Sequence, residues 1–202
     1  MSDSSEGITQ KIESLLYIVA KAGLYHSIKG LSQMIGQEMT ISDPDVSLVP
    51  IMEIPKLVGG METEVAGIYL KTEGQMGGQF MLILPYEKAL EMVDLLMYEP
   101  PGTTKEFDDL GRSALAEMGN LTGTFFLNGI AEMTGLETQP SPPAVMIDMV
   151  GAILNVIMAT SAQTVEEVVM ISTCISHGDR EAQANFWYVP DMEALKTLEK
   201  LG

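Results

Sequence analysis

Apolar residues recur at spacings of three and four in two stretches, one near the start of the chain and one just past its middle. The first set is Ile8, Ile12, Leu15, Leu16 and Val19, and the second is Leu110, Leu115, Met118 and Leu121. Such spacing places residues on one face of an α-helix, so each stretch predicts an amphipathic helix with that face in the core. Gly36 and Gly135 are typical of left-handed caps at the ends of helical stretches. Residues 103–106, TTKE, predict a capping box at the start of the second helix.

Six shorter stretches are predicted to be extended strands. They cover residues 46–54, 67–72 and 79–84 in the first half and residues 145–149, 167–176 and 185–189 in the second. Gly74, Gly77 and Gly78 lie between two of these strands and predict a hairpin turn or bulge. A final helix is expected just after Pro85 and again just after Pro190, because proline is well tolerated at a helix start.

Residues 144–162 are apolar over about the length that a membrane-spanning helix needs. Asp148 and Asn155 interrupt this stretch, and a carboxylate inside a span costs a few kcal/mol to insert. Prolines precede the stretch and polar residues 163–167 follow it. We therefore expect a buried strand that leads into a buried helix, and no membrane span.

The two halves of the chain repeat one another. Residues 31–51 align with residues 130–150 at an offset of 99 positions, and residues 84–90 align with residues 189–195 at an offset of 105. The pairs that match in the first alignment include Met34 and Met133, Gly36 and Gly135, Glu38 and Glu137, Ser42 and Ser141, Pro44 and Pro143, and Val46 and Val145. This repetition predicts a duplicated unit.

The predicted elements follow the same order in both copies: a leading helix, extended segments and a final helix. We therefore predict a single α+β domain over residues 1–202, with pseudo-twofold symmetry and helices packed on largely antiparallel strands. The two repeats would cover about residues 8–100 and 103–202.

Composition and charge narrow the classes of partner. The chain has 202 residues, of which 46% are hydrophobic, so it can bury a substantial core. Eleven Lys and Arg against 28 Asp and Glu give a net charge of −17, which disfavours nucleic acid and anionic lipid. Cys174 is the single cysteine and cannot form an intrachain disulfide, and the N-terminus lacks the basic and apolar pattern of a secretory signal. We expect a cytoplasmic protein.

Ser113, Glu117 and Asn120 place a hydroxyl, a carboxylate and a carboxamide on one face of the second amphipathic helix. At 100° per residue they lie at 0°, about 40° and about −20°, largely turned away from the predicted core. Solvated helix faces are far commoner than functional sites, so this geometry alone favours an ordinary exposed face.

The repeat changes that interpretation. At the offset of 99, Ser113 falls on Ser14, Glu117 falls on Ile18 and Asn120 falls on Lys21. Scaffold residues are thus shared by the two halves, whereas the carboxylate and the carboxamide are not. The difference indicates that one half carries a functional site and that the other serves structure or binding.

Ser113, Glu117 and Asn120, followed after 22 residues by Pro143, resemble the signature of the CheC, CheX and FliY phosphatases of bacterial and archaeal chemotaxis. The resemblance extends over nearly the whole chain, including the segments EMGN and PPAVMIDM and the duplicated organisation, and it looks most like CheC. It implies an internally duplicated CheC-like fold. The first half departs from the signature at the Glu and Asn positions, so a second site is not expected there.

The resemblance also implies a chemistry. The substrate would be the acyl phosphate on an aspartate of a CheY-type response regulator, which carries its own Mg²⁺. Asn120 would orient the attacking water, Glu117 would pair with the regulator's active-site lysine, and Ser113 and Pro143 would shape the site. Neither a cofactor nor a metal on this chain would be required.

An alternative from another class is a non-enzymatic interaction protein, either a flagellar-switch component or a docking partner for a CheD-like receptor deamidase. Other chemistries find less support. The glycine cluster at residues 74–78 lacks the Gly-Lys-Ser/Thr ending of a phosphate-binding loop. His26 and His177 lack neighbours at metal-ligand spacing, so surface or packing roles are expected for both.

Overall fold

The computed structural model of the protein describes residues 2–160 and 166–201. The first half of the chain contains α1 (Ser2–Ile35), β1 (Thr40–Ile41), β2 (Asp45–Pro50), a 3₁₀ turn (Ile51–Glu53), α2 (Ile54–Leu57), β3 (Glu64–Gly74), β4 (Gly78–Pro85) and α3 (Tyr86–Leu96). The second half contains α4 (Asp109–Thr134), β5 (Thr138–Pro140), β6 (Ala144–Met149), α5 (Val150–Thr160), β7 (Glu167–His177), β8 (Arg180–Pro190) and α6 (Met192–Leu201).

The eight strands form one sheet in which every described pairing is antiparallel. The strand order is β1-β7-β8-β4-β3-β5, with β2 beside β7 and β6 beside β3. Exchanging each strand for its counterpart in the other half leaves this order unchanged, with β4 and β8 at the centre. The predicted α+β class with antiparallel strands is confirmed, while the exact bounds of two repeats stay a prediction.

Strands from the two halves are interleaved. β2 of the first half pairs with β7 of the second, and β6 of the second half pairs with β3 of the first. Each half therefore contributes a strand to the edge of the other half's hairpin. The chain forms one body around one sheet.

Both faces of the sheet are buried by apolar side chains that alternate along the strands, as the pleat of a strand requires. In β4, Phe80, Leu82 and Leu84 belong to the core beneath α1 and α4, whereas Met81 and Ile83 belong to the core beneath α5. The long helices α1 and α4 share the first face and pack directly against each other. Ser27 Oγ of α1 donates a hydrogen bond to Thr122 O of α4 at 2.8 Å.

Most predicted elements are confirmed, and the first predicted strand is too long. Residues 46–54 are extended only as far as Pro50, after which the chain turns into helical structure. Ile51 and Ile54, spaced by three, are buried, while the residues between them are exposed. This spacing suits a helical turn and not the alternation of a strand.

The apolar stretch at residues 144–162 divides into β6 and α5, with residues 161–165 outside the described part. β6 is only half-buried, so the expectation of a buried strand is wrong in degree. α5 buries one apolar face, which holds Val150, Ile153, Leu154 and Ile157. Asp148 and Asn155 are exposed, which explains why the stretch tolerates them. Among the described residues, no helix combines the length and apolarity needed to cross a membrane.

Asp94 organises the connection between the two halves. Its side chain is completely buried at the end of α3, and its carboxylate accepts hydrogen bonds from the backbone N–H groups of Gly102 at 2.6 Å, Thr103 at 3.1 Å and Thr104 at 2.8 Å. Burial acts to raise the pKa of the Asp94 carboxyl, but the hydrogen bonds, first those of Thr104, outweigh it and hold this pKa below its ordinary value. The ionised carboxylate therefore fixes the segment that leads into α4.

Replacing Asp94 by Asn is expected to lower the free energy of unfolding by about 2 kcal/mol or more at pH 7, because the amide cannot accept all of these bonds. Because the pKa of Asp94 is lowered in the folded state, the ionised carboxylate stabilises the fold at pH values above the ordinary aspartate pKa, near 4. This contribution to the free energy of unfolding is lost as the pH falls through the lowered pKa. The difference between Asp94→Asn and wild type should therefore narrow in denaturant titrations below about pH 4. Exposed Asp45→Asn is the control and should change stability by less than about 0.5 kcal/mol. Equal effects of both substitutions would contradict the assigned role of Asp94.

Candidate functional site

Helix α4 begins at a different cap from the one that the sequence predicts. The Asp108 side chain caps the helix by accepting a hydrogen bond from Gly111 N at 2.7 Å. The predicted capping box at residues 103–106 is wrong, because the N–H groups of Thr103 and Thr104 are bound by Asp94. The helix ends as predicted at Gly135, which is left-handed with φ 72° and donates to Ala131 O at 2.8 Å.

The three polar residues of the motif lie on the outward side of α4. Ser113 and Glu117 are exposed and Asn120 is half-buried. Ser113 Oγ donates to Asp109 O at 2.8 Å, a bond within the helix. Among the described residues, no side-chain partner is present for the Glu117 carboxylate or the Asn120 carboxamide. Both groups are thus available to an incoming molecule.

The rotation of α4 is fixed by what its other side packs against. Leu115 and Met118 are buried in the core between helix and sheet. A Cβ atom built on Gly119 would lie 2.2 Å from Ile68 Cγ2 of β3, so only glycine permits this approach. The close contact at Gly119 sets the height of the neighbouring Asn120 above the sheet.

Pro143 is tied to the same strand. It directly precedes β6, and β6 pairs with β3 so that Val145 lies opposite Ile68. Ile68 is the residue on which Gly119 rests. One strand therefore supports both the helix that carries Asn120 and the start of the strand that follows Pro143. The roles predicted for Ser113, Glu117, Asn120 and Pro143 stay predictions.

The corresponding face of α1 has different chemistry. Lys21 Nζ forms an ion pair with the Asp43 carboxylate, and the hydroxyl of Tyr17 donates to the same carboxylate at 2.8 Å. The hydrogen bond to Asp43, then that to Tyr17, raises the pKa of Lys21, and the hydrogen bond from Lys21 lowers the pKa of Asp43. Ile18, which stands where Glu117 stands in α4, is 52% exposed. This face holds its cation against its own carboxylate and offers no amide.

Leu110 does not join the core as the spacing predicts. Its side chain is 59% exposed, in contrast to Leu115 and Met118 of the same helix. It lies in the first turn of α4, about 20° around the helix from the exposed Glu117 and so at the edge of the outward side. The predicted apolar stripe is therefore correct for its middle and wrong at its N-terminal end.

The described residues contain no group of three or more His, Cys, Asp or Glu side chains that could hold a metal ion. His26 lies 3.4 Å from Glu132, and His177 Nδ1 lies 3.1 Å from Glu38 O, which matches the surface roles expected for both. The expectation that no metal is needed stays a prediction.

Sequence reasoning missed two contributors to the site. Gly119 stands inside a helix, where glycine is unfavourable without a packing reason, so its position was an available signal. The partner of Lys21 could not have been found this way, because Asp43 lies 22 positions away and nothing in the local pattern links the two.

Comparisons with known proteins agree with the geometry. The sequence model of the CheC-like family matches residues 110–147, a range that holds the whole motif from Ser113 to Pro143. The chain is similar to the CheY-P phosphatase CheC of Bacillus subtilis (strain 168), at 28% identity over 197 residues that cover 95% of this chain and 94% of that protein.

Two solved structures share the fold. Thermotoga maritima FliY superposes with a TM-score of 0.78 at 16% identity, covering 93% of this chain and 94% of that one. FliM in the FliM-SpeE complex from H. pylori superposes with a TM-score of 0.70 at 15% identity, covering 95% of this chain and 94% of that one. At these identities the likeness concerns the fold alone.

Replacing Gly119 by Ala is expected to lower the free energy of unfolding by about 1 to 2 kcal/mol, because Ile68 must move and the gain in helix propensity offsets only part of the cost. Gly123→Ala is the matched control in the same helix. Its added Cβ would meet only the end of the Leu70 side chain, at 3.1 Å, so stability should stay within about 1 kcal/mol of wild type. Denaturant titration checks both variants. If Gly119→Ala is as stable as Gly123→Ala, the close contact does not position the helix.

Proposed function

We propose that this chain is a phosphatase that hydrolyses the aspartyl phosphate of a CheY-type response regulator. The observation that carries the proposal is the outward-facing pair of Glu117 and Asn120 on α4, whose side chains have no partner among the described residues. A relative that is 28% identical over 95% of this chain carries the name CheY-P phosphatase CheC.

Asn120 supplies the positioning step. Its carboxamide can accept a hydrogen bond from a water molecule and donate one to a phosphoryl oxygen, so it can hold the water in line with phosphorus. The water attacks phosphorus, the bond between phosphorus and the aspartate oxygen breaks, and inorganic phosphate and the free carboxylate are released. The contact of Gly119 with β3 makes Asn120 a group on a rigid element, which limits the entropy lost when the water is aligned.

Glu117 supplies docking. It lies one helical turn before Asn120, about 4.5 Å along the helix axis. Its carboxylate would pair with the lysine of the regulator's active site and so keep the phosphoryl group in register with Asn120. Mg²⁺ would be bound by the regulator. Ser113 and Pro143 would shape the contact surface at either side of the pair.

A non-enzymatic interaction protein is the alternative, as a flagellar-switch component or a CheD-type partner. The observation in its favour is that FliM, a protein solved in complexes with SpeE and with FliG, shares the fold. The exposed carboxylate and carboxamide favour the phosphatase, because a scaffold needs no free amide beside a carboxylate. The two proposals can be distinguished by measuring whether substitutions in α4 change the rate at which the regulator is dephosphorylated.

Asn120→Ala is expected to lower the added rate of hydrolysis about a hundredfold or more, because water is no longer aligned. Glu117→Ala should mainly raise KM, by about tenfold, because the regulator loses a charged partner. Both are read from initial rates of phosphate release at several concentrations of phosphorylated regulator.

Asn128→Ala is the matched control, because Asn128 is exposed on the same helix two turns farther along. Its rate should equal that of wild type. Wild-type rates for both Asn120→Ala and Glu117→Ala would show that the site lies elsewhere.

One regulator is expected to bind per chain, at α4. The α1 face presents Ile18 and the paired Lys21, which cannot hold a lysine or align a water. Calorimetric titration with a regulator carrying a stable phosphoryl mimic should give one site, and Lys21→Ala should hydrolyse at the wild-type rate. Two equal sites, or activity that survives Asn120→Ala and is lost in Lys21→Ala, would overturn the assignment to α4.

A further inference from the structure

Leu110 is an apolar side chain on the polar face of α4. Exposed leucines are common at protein surfaces, so its 59% exposure does not by itself mark a site. Its place on the helix does. At 100° per residue Leu110 lies about 60° from Ser113 and about 20° beyond Glu117, next to the sector that holds the motif.

The distance along the helix is also suitable for a shared contact. Leu110 precedes Glu117 by seven residues, which is two turns or about 10 Å along the axis. A specific interface covers about 800 Å² on each partner, which extends well beyond 10 Å in every direction. A regulator that reaches both Glu117 and Asn120 therefore also covers the first turn of α4.

The net charge of this chain makes short-range contacts important for its affinity for a regulator. The net charge of −17 opposes the approach of an anionic phosphoryl group, so we expect short-range contacts to supply much of the affinity. A single ion pair, such as the one proposed for Glu117, supplies only part of the affinity of a specific complex. Apolar side chains that become buried at the centre of an interface contribute most.

We infer that Leu110 is the apolar anchor for the response regulator, packing against an apolar part of the regulator's surface about 10 Å along α4 from the contact made by Glu117. This inference rests on the proposed function. Leu110 touches neither the phosphoryl group nor the water, so it is a positioning residue. It acts on binding and leaves the chemical step unchanged.

Leu110→Ala is expected to raise KM for the phosphorylated regulator about tenfold while kcat stays within twofold of wild type, because buried apolar area is lost and Asn120 is not disturbed. Leu110→Met, which restores the apolar volume, should stay within threefold of the wild-type KM. Met52→Ala is the control, because Met52 is 71% exposed and lies in the turn beneath the opposite face of the sheet. It should leave both constants unchanged.

An unchanged KM in Leu110→Ala, or a fall in kcat with KM unchanged, would overturn the role of Leu110 and leave the phosphatase proposal standing. If wild type does not hydrolyse, the proposed function fails, and calorimetry with the phosphoryl mimic still decides on Leu110. If Leu110→Ala binds the mimic tenfold more weakly while Leu110→Met and Met52→Ala bind as wild type does, the anchor role is supported. Equal binding by wild type and all three variants, or no binding by wild type, would contradict it.

Discussion

Neither half of this chain completes its own share of the sheet, because β2 hydrogen-bonds to the hairpin strand β7 and β6 hydrogen-bonds to the hairpin strand β3. This exchange of strands places β4 and β8 together at the centre, where side chains are buried on both faces. The helices must then cover the sheet from outside, and α1 and α4 share one face of it. Every later feature of the site depends on this arrangement.

The exchange also determines what the two long helices present to solvent. Gly119 of α4 contacts Ile68 of β3 closely. β6, which directly follows Pro143, pairs with the same strand β3. Glu117 lies exposed on the outward side of α4, and Asn120, the neighbour of Gly119, is half-buried beside it. The equivalent face of α1 points outward too, but there Lys21 is paired with Asp43. A nearly symmetric scaffold thus carries an asymmetric surface chemistry.

The features that depend on local residue spacing could be predicted from the sequence. The strands, the glycine caps, the hairpin at residues 74–78 and the outward placement of Ser113 and Glu117 follow from spacing within a few residues. Features that depend on distant partners do not follow from it. The cap of α4 is Asp108, because Asp94 binds the N–H groups of the predicted capping box. Leu110 is exposed beside Glu117, although its spacing fits the apolar stripe. The spacing of apolar residues predicts which side of a helix is buried, but it does not predict which residues at the edge of that side stay exposed.

A phosphatase turns over phosphorylated regulator, whereas an interaction protein only binds it. The most direct measurement is the release of radiolabelled phosphate from a CheY-type regulator in the presence of about one-hundredth as much of this protein, with Mg²⁺ present throughout. The proposed phosphatase activity should release all of the label faster than the regulator alone does, over many turnovers per chain. Decay at the regulator's own rate, or acceleration only when the two proteins are equimolar, would contradict it and would favour an interaction protein.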